Sequence, residues 1–472
     1  MQDILPLLYC LQPSIGVTSV PQLNRIVQAM LAMTGRVTML GISRWTGQGG
    51  SYRTVQRFFA QALPWATLFW VFFRQHLFCD NEVYLLAGDE VIVTKAGKKT
   101  YGLERFFSSL YGKSVSGLSF FTLSLVSIQQ RHSFPIRIEQ TIKSASETLP
   151  DLAQISDNPQ KKPSKTSKKI GKNTLKKSSK YPTERAEPKN LGGRPKGSKN
   201  KDKTVVTFTP ELVRIQGWIQ AVLQQIKGFV PLTYLLLDGH FGNNNALQMA
   251  RQLNLHLISK LRYDSALYLP YENPEPGKKC KRKYGEKLNF SQIPTKFLKS
   301  STVERQIKTE VYQAELLHKE FAQPLNVIIL VKTNQMTLKC SHVILFSSDF
   351  KLSHNQLIDY YSLRFQIEFN FRDAKQFWGL EDFMNISEKA VTNAANLSFF
   401  MVNLSHHLLK LGYRGPGASI LDLKARCRGY KYVDEIVKLL PEKPELVLLA
   451  QIFQRISSLG CIHPPQSYTH PN

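Results

Sequence analysis

Apolar residues recur along this chain at two periods, and the changes between them mark out its elements. Up to about Phe78 the period is helical, with Ser51 placed to cap a helix over Tyr52 to Phe59. A short apolar run, Val83 to Ala87, then predicts a buried strand ending at Gly88-Asp89-Glu90. Leu118 to Ile128 and Phe134 to Ile142 predict two more strands. Further on, Pro210 to Lys227 returns to the helical period, and Leu232 to Leu237 predicts a strand that also ends at an aspartate, Asp238. Asn243-Asn244-Asn245 opens a polar helix, and Leu255 to Lys260 is again strand-like. From about 262 to 345 the chain is basic and turn-rich, then strand-like at Thr309 to Leu316 and Asn326 to Val331, which predicts a β-rich insertion. Ser353 to about Leu411 is helical. Several strands interspersed with helices predict an α/β fold around a mixed sheet.

Charge sharpens this division. Sixty-two Lys and Arg stand against 35 Asp and Glu, a net charge of +27, which calls for a polyanionic partner. Residues 161–203 carry 16 basic and three acidic side chains, a net +13, with little apolar surface beyond Ile170, Leu175, Tyr181 and Leu191. Such a segment buries too little to offset its ordering entropy, so it is expected to be a disordered linker. The longest apolar run, around Leu63 to Phe73, is too short to cross a bilayer and is closed by Arg74. Met1-Gln2-Asp3 lacks the basic start of a secretory signal, so a cytoplasmic, nucleoid-associated bacterial protein is expected. Six scattered cysteines show no zinc-ligand spacing. The expected organisation is a helical N-terminal DNA-binding domain (1–78), an α/β core in three parts (79–150, 206–261, 346–411), the basic linker (151–205), the β-rich insertion (262–345) and a C-terminal helical region (412–472).

Asp89 and Asp238 each close an apolar strand, where an α/β sheet places reactive groups. Glu90 competes with Asp89, because neighbours on a strand point to opposite faces and at most one faces a given site. On a single helix, Tyr361, Arg364, Glu368 and Lys375 would fall at offsets of about 0, 3, 7 and 14, within a stripe roughly 60° wide. Leu363, Phe365, Ile367, Phe369 and Phe371 flank that stripe. A polar stripe with apolar walls points to a partly enclosed site, against the plainer reading of an exposed i,i+4 Arg-Glu pair.

Tyr361-x2-Arg364-x3-Glu368-x6-Lys375 resembles the Y-R-E-K signature of insertion-sequence DDE transposases of the insertion-sequence-four-like group. Leu236-Leu237-Asp238-Gly239-His240-Phe241-Gly242 is similar to that group's second-aspartate block, and Gly88-Asp89-Glu90 with Lys95-x-Gly97-Lys98-Lys99-Thr100 to its first. The likeness spans about residues 80 to 411. It implies an RNase H-like core in which Asp89, Asp238 and Glu368 are the catalytic ligands of two Mg²⁺ ions, with Mn²⁺ able to substitute. It also implies DNA-phosphate contacts from Tyr361, Arg364 and Lys375, to which Arg372, Lys98, Lys99 and Arg105 are added as candidates. The 129 residues between Asp238 and Glu368 suit the insertion this group carries there. The group's hairpin-forming members use a tryptophan from that insertion. All five tryptophans here lie outside 262–345, where Tyr263, Tyr268, Tyr271 and Tyr284 are the available aromatics.

Three further basic features have two readings each. Gly193-Arg194-Pro195-Lys196-Gly197 resembles an AT-hook whose Arg194 and Lys196 suit a narrow minor groove; the other reading is a generic basic linker. Arg53, Gln56 and Arg57 share a helical face, after an apolar turn at Met39 to Ile42, as in a helix-turn-helix or a plain bundle with exposed arginines. Lys278-Lys279-Cys280-Lys281-Arg282-Lys283 is a backbone-contacting loop or a solvated charge run. The function expected is a DNA transposase acting as a homodimer on terminal inverted repeats and target DNA, both double-stranded. The alternatives are an RNase H-like nuclease or resolvase, and a domesticated DNA-binding protein without catalysis.

Overall fold

The computed structural model describes residues 4–47, 49–108, 112–142, 202–271, 283–412, 418–442 and 444–463. The AT-hook-like Arg194 and Lys196, the rest of the basic linker up to 201, and all of the 278–283 run except Lys283 lie outside the described residues.

Among the described residues twelve strands form the sheet: β1 (Tyr84–Thr94), β2 (Glu104–Ser108), β3 (Lys113–Ser127), β4 (His132–Thr141), β5 (Tyr234–Leu236), β6 (His256–Leu261), β7 (Leu267–Pro270), β8 (Tyr284–Lys287), β9 (Leu298–Glu304), β10 (Ile307–His318), β11 (Leu325–Asn334) and β12 (Cys340–Ser347). Their order is β2-β3-β1-β5-β6-β12-β11-β10-β7-β8, with β4 also on β3 and β9 on β10. Strands β1, β3 and β4 pair antiparallel. Strands β5 and β6 then continue the sheet parallel to β1. The strands of the basic, β-rich stretch extend this same sheet, because β12 pairs directly with β6 and carries β11 and β10 outward.

The first strand is longer than its apolar run. It continues through Asp89 to Thr94, paired with β3 throughout, and buries Val91 and Val93 in alternation. Asp89 therefore lies within the strand and not at its end, which corrects the expectation. Its parallel pairing with β5, however, stops at Ala87 opposite Leu236. Asp89 and Asp238 each sit two residues beyond that last pair, level with one another at the C-terminal edge of the parallel part.

Eleven longer helices are used below: α1 (Ser19–Ala32), α2 (Met39–Trp45), α3 (Tyr52–Phe59), α4 (Trp65–Phe72), α5 (Pro210–Ile226), α6 (Asn244–Gln252), α7 (His354–Leu363), α8 (Gln366–Phe377), α9 (Glu388–Gly412), α10 (Ile420–Leu439) and α11 (Leu446–Ser458). Ser51 caps α3 through the Thr54 N–H, as its position before Tyr52 predicts, and Asn243 caps α6. Met39 to Ile42 is the start of a full helix, α2, and not a turn. Most of α9 is buried, including Asn393, Asn396, Ser398 and Asn403, so these polar groups need partners. Asn393 Nδ2 donates to the carbonyls of Phe59 and Gln61 at 2.8 Å, its Oδ1 accepts from Trp65 Nε1 at 2.7 Å, and Asn403 Nδ2 donates to Pro135 O on β4 at 2.8 Å. The N-terminal helices thus dock on the helix that backs the sheet. Lys424 Nζ and Arg428 Nε of α10 donate to the last carbonyls of α1, from Met30 and Ala32, where a helix C-terminus favours cations.

A second tie runs through the loop after α8. Gly379 has φ +79°, and a Cβ there would lie 2.4 Å from the Val37 Cβ. Asp382 accepts from the Val37 N–H at 3.0 Å and pairs with Arg36 at 3.5 Å. Gly379→Ala combines an unfavourable backbone region with a steric overlap and should cost roughly 2–4 kcal/mol. Urea unfolding checks this, and a loss below about 0.5 kcal/mol would contradict it.

Where β4 starts, His132 stacks on His406 of α9 with ring centroids 3.7 Å apart. Burial depresses both imidazoles, His132 to about 3 and His406 to about 4, and each meets other cationic-capable neighbours. The unfolded chain takes up these protons near the ordinary value of 6.5, so it binds more protons between pH 6.5 and 4 and acid favours unfolding. Stability should fall by on the order of 3 kcal/mol per histidine across that window, as chemical denaturation at several pH values would measure. His406→Phe keeps the ring stack and should remove about half of that dependence.

Candidate active site

Asp89, Asp238 and Glu368 reach one cleft of about 1130 Å³ from three elements. Asp89 comes from β1 and Glu368 from the first turn of α8. Asp238 leaves β5 and caps a short turn by accepting from the His240 N–H at 3.2 Å. Its own carbonyl accepts from Ser259 Oγ on β6 at 2.6 Å, which fixes the turn to the neighbouring strand.

The Y-R-E-K segment is not one helix. Between α7 and α8 the bonds shorten to the three-residue repeat: the N–H groups of Arg364, Phe365, Ile367 and Glu368 donate to Tyr361, Ser362, Arg364 and Phe365 at 3.0–3.2 Å. A three-residue turn eclipses side chains three apart, so the Arg364 guanidinium stands 5.9 Å from the centre of the Tyr361 ring. The flanks also differ from expectation. Leu363, Ile367 and Phe371 are core, whereas Phe365 and Phe369 form an exposed edge-on pair with Arg372 over the Phe369 ring. Asn370 Nδ2 donates to Ser133 Oγ on β4 at 2.9 Å and sets the rotation of α8.

Arg364 is the centre of the charge arrangement. Its side chain is 15% exposed, with Nη1 donating to Asp89 Oδ2 and Nη2 lying 3.4 Å from Glu368 Oε1. Burial pushes the Asp89 carboxyl up to about 6; Arg364 pulls it down, and the charges of Asp238 and Glu368 add to the rise. Among the described residues no three acidic, histidine or cysteine side chains stand close enough to hold an ion as placed, because the guanidinium lies between two of the carboxylates. The donor chemistry nonetheless fits hard divalent cations: three carboxylates and no thiol or obligatory imidazole, converging where a cation already bridges two of them.

The other expected residues divide into three groups. Tyr361 adjoins Asp238 and Arg364, and burial raises its hydroxyl. Lys375 lines the cleft, but its Nζ donates to Ile92 O at 2.8 Å and pairs with Glu381 at 3.2 Å. Arg372 also lines it and pairs with Asp373 at 2.9 Å. Lys98 and Lys99 line an adjoining basic cavity of about 960 Å³ with Arg36, Lys95 and Lys113. Arg105, exposed on β2, donates to Ser114 O at 3.0 Å. Arg53 and Arg57 are exposed on α3, away from the cleft lining. Glu90 does reach the cleft, although its carboxylate accepts from Ser119 Oγ.

Sequence reasoning missed the wall opposite the acids. There α5 contributes Glu211, Arg214 and Trp218, with Trp218 stacked on Phe121 at 5.7 Å. Glu211 pairs with His240 at 3.5 Å, and its hydrogen bond raises the imidazole. The only sequence signal was His240 beside Asp238; nothing linked either to Pro210-Glu211. Lys95, quoted only as part of a motif, is structural: its Nζ donates to Glu381 O and Phe383 O at 2.9 Å, and burial lowers it to about 8.

A mixed α/β sheet with acids and arginines gathered in one cleft defines the class of protein. The sequence matches the family model described as DDE superfamily endonuclease over residues 10–321, and the chain belongs to that family. The match takes in Asp89 and Asp238 and stops before Glu368. No curated protein matches the chain. Among solved structures it is similar to a piggyBac transposase in a synaptic complex with hairpin DNA, at 9% identity and a TM-score of 0.31, covering 82% of this chain and 59% of that one. Among the described residues no helix is long and apolar enough to cross a membrane.

Asp89, ionised at neutral pH in a site that favours its neutral form, is expected to weaken the fold there. Its raised carboxyl binds a proton in the folded chain up to about pH 6, so the stability it contributes below the ordinary value of 3.8 is lost as pH rises through 6. Asp89→Asn should therefore unfold later than wild type at pH 8 by on the order of 1–2 kcal/mol, after allowing for the lost Arg364 partner. The difference should shrink as pH falls below 6 and close near the ordinary value of 3.8 in calorimetry, and equal stability at all pH values would contradict it.

Proposed function

We propose that this chain is a DNA transposase that cleaves and joins strands at the ends of an insertion sequence. The observation that carries the reading is the convergence of Asp89, Asp238 and Glu368 on one cleft with Arg364 between two of them. An RNase H-like core is part of the proposal, supported by an antiparallel β4-β3-β1 unit continued by parallel β5 and β6. So is membership of the insertion-sequence-four-like group, on the Y-R-E-K spacing.

Asp89, Asp238 and Glu368 would hold two Mg²⁺ ions, or Mn²⁺ in their place. Bound there, they would supply Lewis-acid stabilisation of the charge that develops during phosphodiester displacement. Arg364 carries a fork suited to two oxygens of a phosphate and exchanges its carboxylate partners for the substrate. Tyr361 holds that guanidinium from its ring face, and Lys375 braces β1 against the loop after α8. Hydrolysis joins a water oxygen to phosphorus and releases a 3′-hydroxyl; strand transfer repeats the displacement with that hydroxyl on target DNA. Helices α2 and α3 read the terminal repeats with Arg53 and Arg57, the basic linker adds an AT-hook, and two copies bridge the two ends.

Cleavage of a linear duplex carrying the gene's own flanking DNA tests the reading. Wild type should nick at the element boundary with Mg²⁺ and not with EDTA. Asp89→Asn and Glu368→Gln should lose at least about a hundredfold in rate while binding the ends within a few fold. Specific binding without cleavage under any divalent metal would overturn it.

A further inference from the structure

A second cavity, of about 430 Å³, adjoins the acidic cleft and shares Asp238 and Arg364 with it. Beside the apolar Leu261, Val343 and Ile344, its wall carries basic and aromatic side chains: Lys260 on β6, Arg262 and Tyr263 just beyond it, His342 on β12, and Tyr361. None of Lys260, Arg262, Tyr263 and His342 lines the acidic cleft itself.

The position of Lys260 relative to Asp238 is set by backbone contacts. Ser259, its neighbour, donates to the Asp238 carbonyl, and a Cβ at Gly242 would lie 2.1 Å from the Lys260 carbonyl, so the turn after Asp238 packs onto this strand end. Lys260 also pairs with Leu345 of β12 in the sheet. The outer lip is equally constrained. His342 Nε2 bonds to Tyr263 O at 2.7 Å and its ring stacks on Phe290 at 4.6 Å, while the Tyr263 side chain is left 69% exposed. Arg262 lies 3.4 Å from Asp264, which balances part of its charge. The Lys260 ammonium has no hydrogen bond or ion pair among the described residues.

A phosphodiester chain led into a cleft of carboxylates needs cations on its path beyond the reacting phosphate, since the acids repel the flanking ones. We infer that the cavity beyond the last pair of β6 and β12 is a subsite for the DNA backbone beside Arg364, with Lys260 on the phosphate next to the one held at Arg364. This rests on the proposed function, whose strands would have to pass both cavities.

The test is a phosphate-neutralisation scan. Flanking-DNA duplexes carrying one methylphosphonate at successive positions about the boundary are titrated against the full-length wild type, Lys260→Met and Lys260→Arg. At one position neutralisation should weaken wild-type binding roughly tenfold, the weight of one charge-assisted contact. The same replacement should leave Lys260→Met unaffected, and Lys260→Arg should regain the sensitivity. Additive losses at every position, or no position-dependent loss, overturn the subsite. A general fall in affinity from misfolding would be additive and so would count against it. Mg²⁺-dependent cutting of the unmodified duplex is read in parallel. Coupling at Lys260 without cutting keeps the subsite and removes the transposase reading, and cutting without coupling does the reverse.

Discussion

Two backbone pairs, Leu86 with Leu235 and Ala87 with Leu236, are the contact on which the cleft depends. They make β1 and β5 parallel neighbours and stop two residues short of Asp89 and Asp238, so both carboxylates emerge side by side at one sheet edge. Strand β5 is only three residues long and is held from both sides, by β1 and β6, with Leu235, Leu236 and Leu237 fully buried. Long-range parallel pairing of this kind is bought late in folding, after the loop-closure entropy of the intervening chain has been met. Loss of this pairing would separate the acids even if every other strand formed.

Bringing acids together at a low-dielectric edge has a cost, visible in the raised Asp89 carboxyl. Arg364 offsets it, and can reach both Asp89 and Glu368 because the chain tightens to a three-residue turn between α7 and α8. That arrangement is anchored elsewhere: Asn370 ties α8 to β4, and the buried amides of α9 tie the N-terminal helices to the same layer. The guanidinium is thus a charge balance for the folded chain and, in the proposed function, a phosphate ligand, two uses of one cation that exclude each other in time.

The loop from Gly379 to Phe383 is tied to several distant parts of the molecule. Lys95 holds its carbonyls, Lys375 holds Glu381, and Asp382 holds the backbone at the start of α2. Through Lys375, which also bonds β1 at Ile92, the same loop is joined to the cleft. Two cationic cavities adjoin the acidic cleft, one with Lys98, Lys99 and Arg36 and one with Lys260 and Arg262.

Local signals in the sequence determined most elements: the Ser51 and Asn243 caps, the apolar runs of β3, β4 and β6, and the helical period after Ser353 all depend on residues within a few positions of one another. The Y-R-E-K spacing singled out Arg364 and Glu368, and strand-terminal patterning singled out Asp238. What the tertiary structure decided was pairing and burial. That β1 runs past Asp89 follows from its antiparallel partner β3, where Asp89 faces Thr122, and that β12 joins the core sheet follows from its match to β6; neither leaves a periodic trace. The pairing of Glu211 with His240, the capture of Lys375 by a carbonyl and the approach of Lys260 to Asp238 have the same origin. Hydrophobic period reports which face of an element is buried, but not which element buries it, and charge partners are chosen only once the sheet order has placed their backbones within reach.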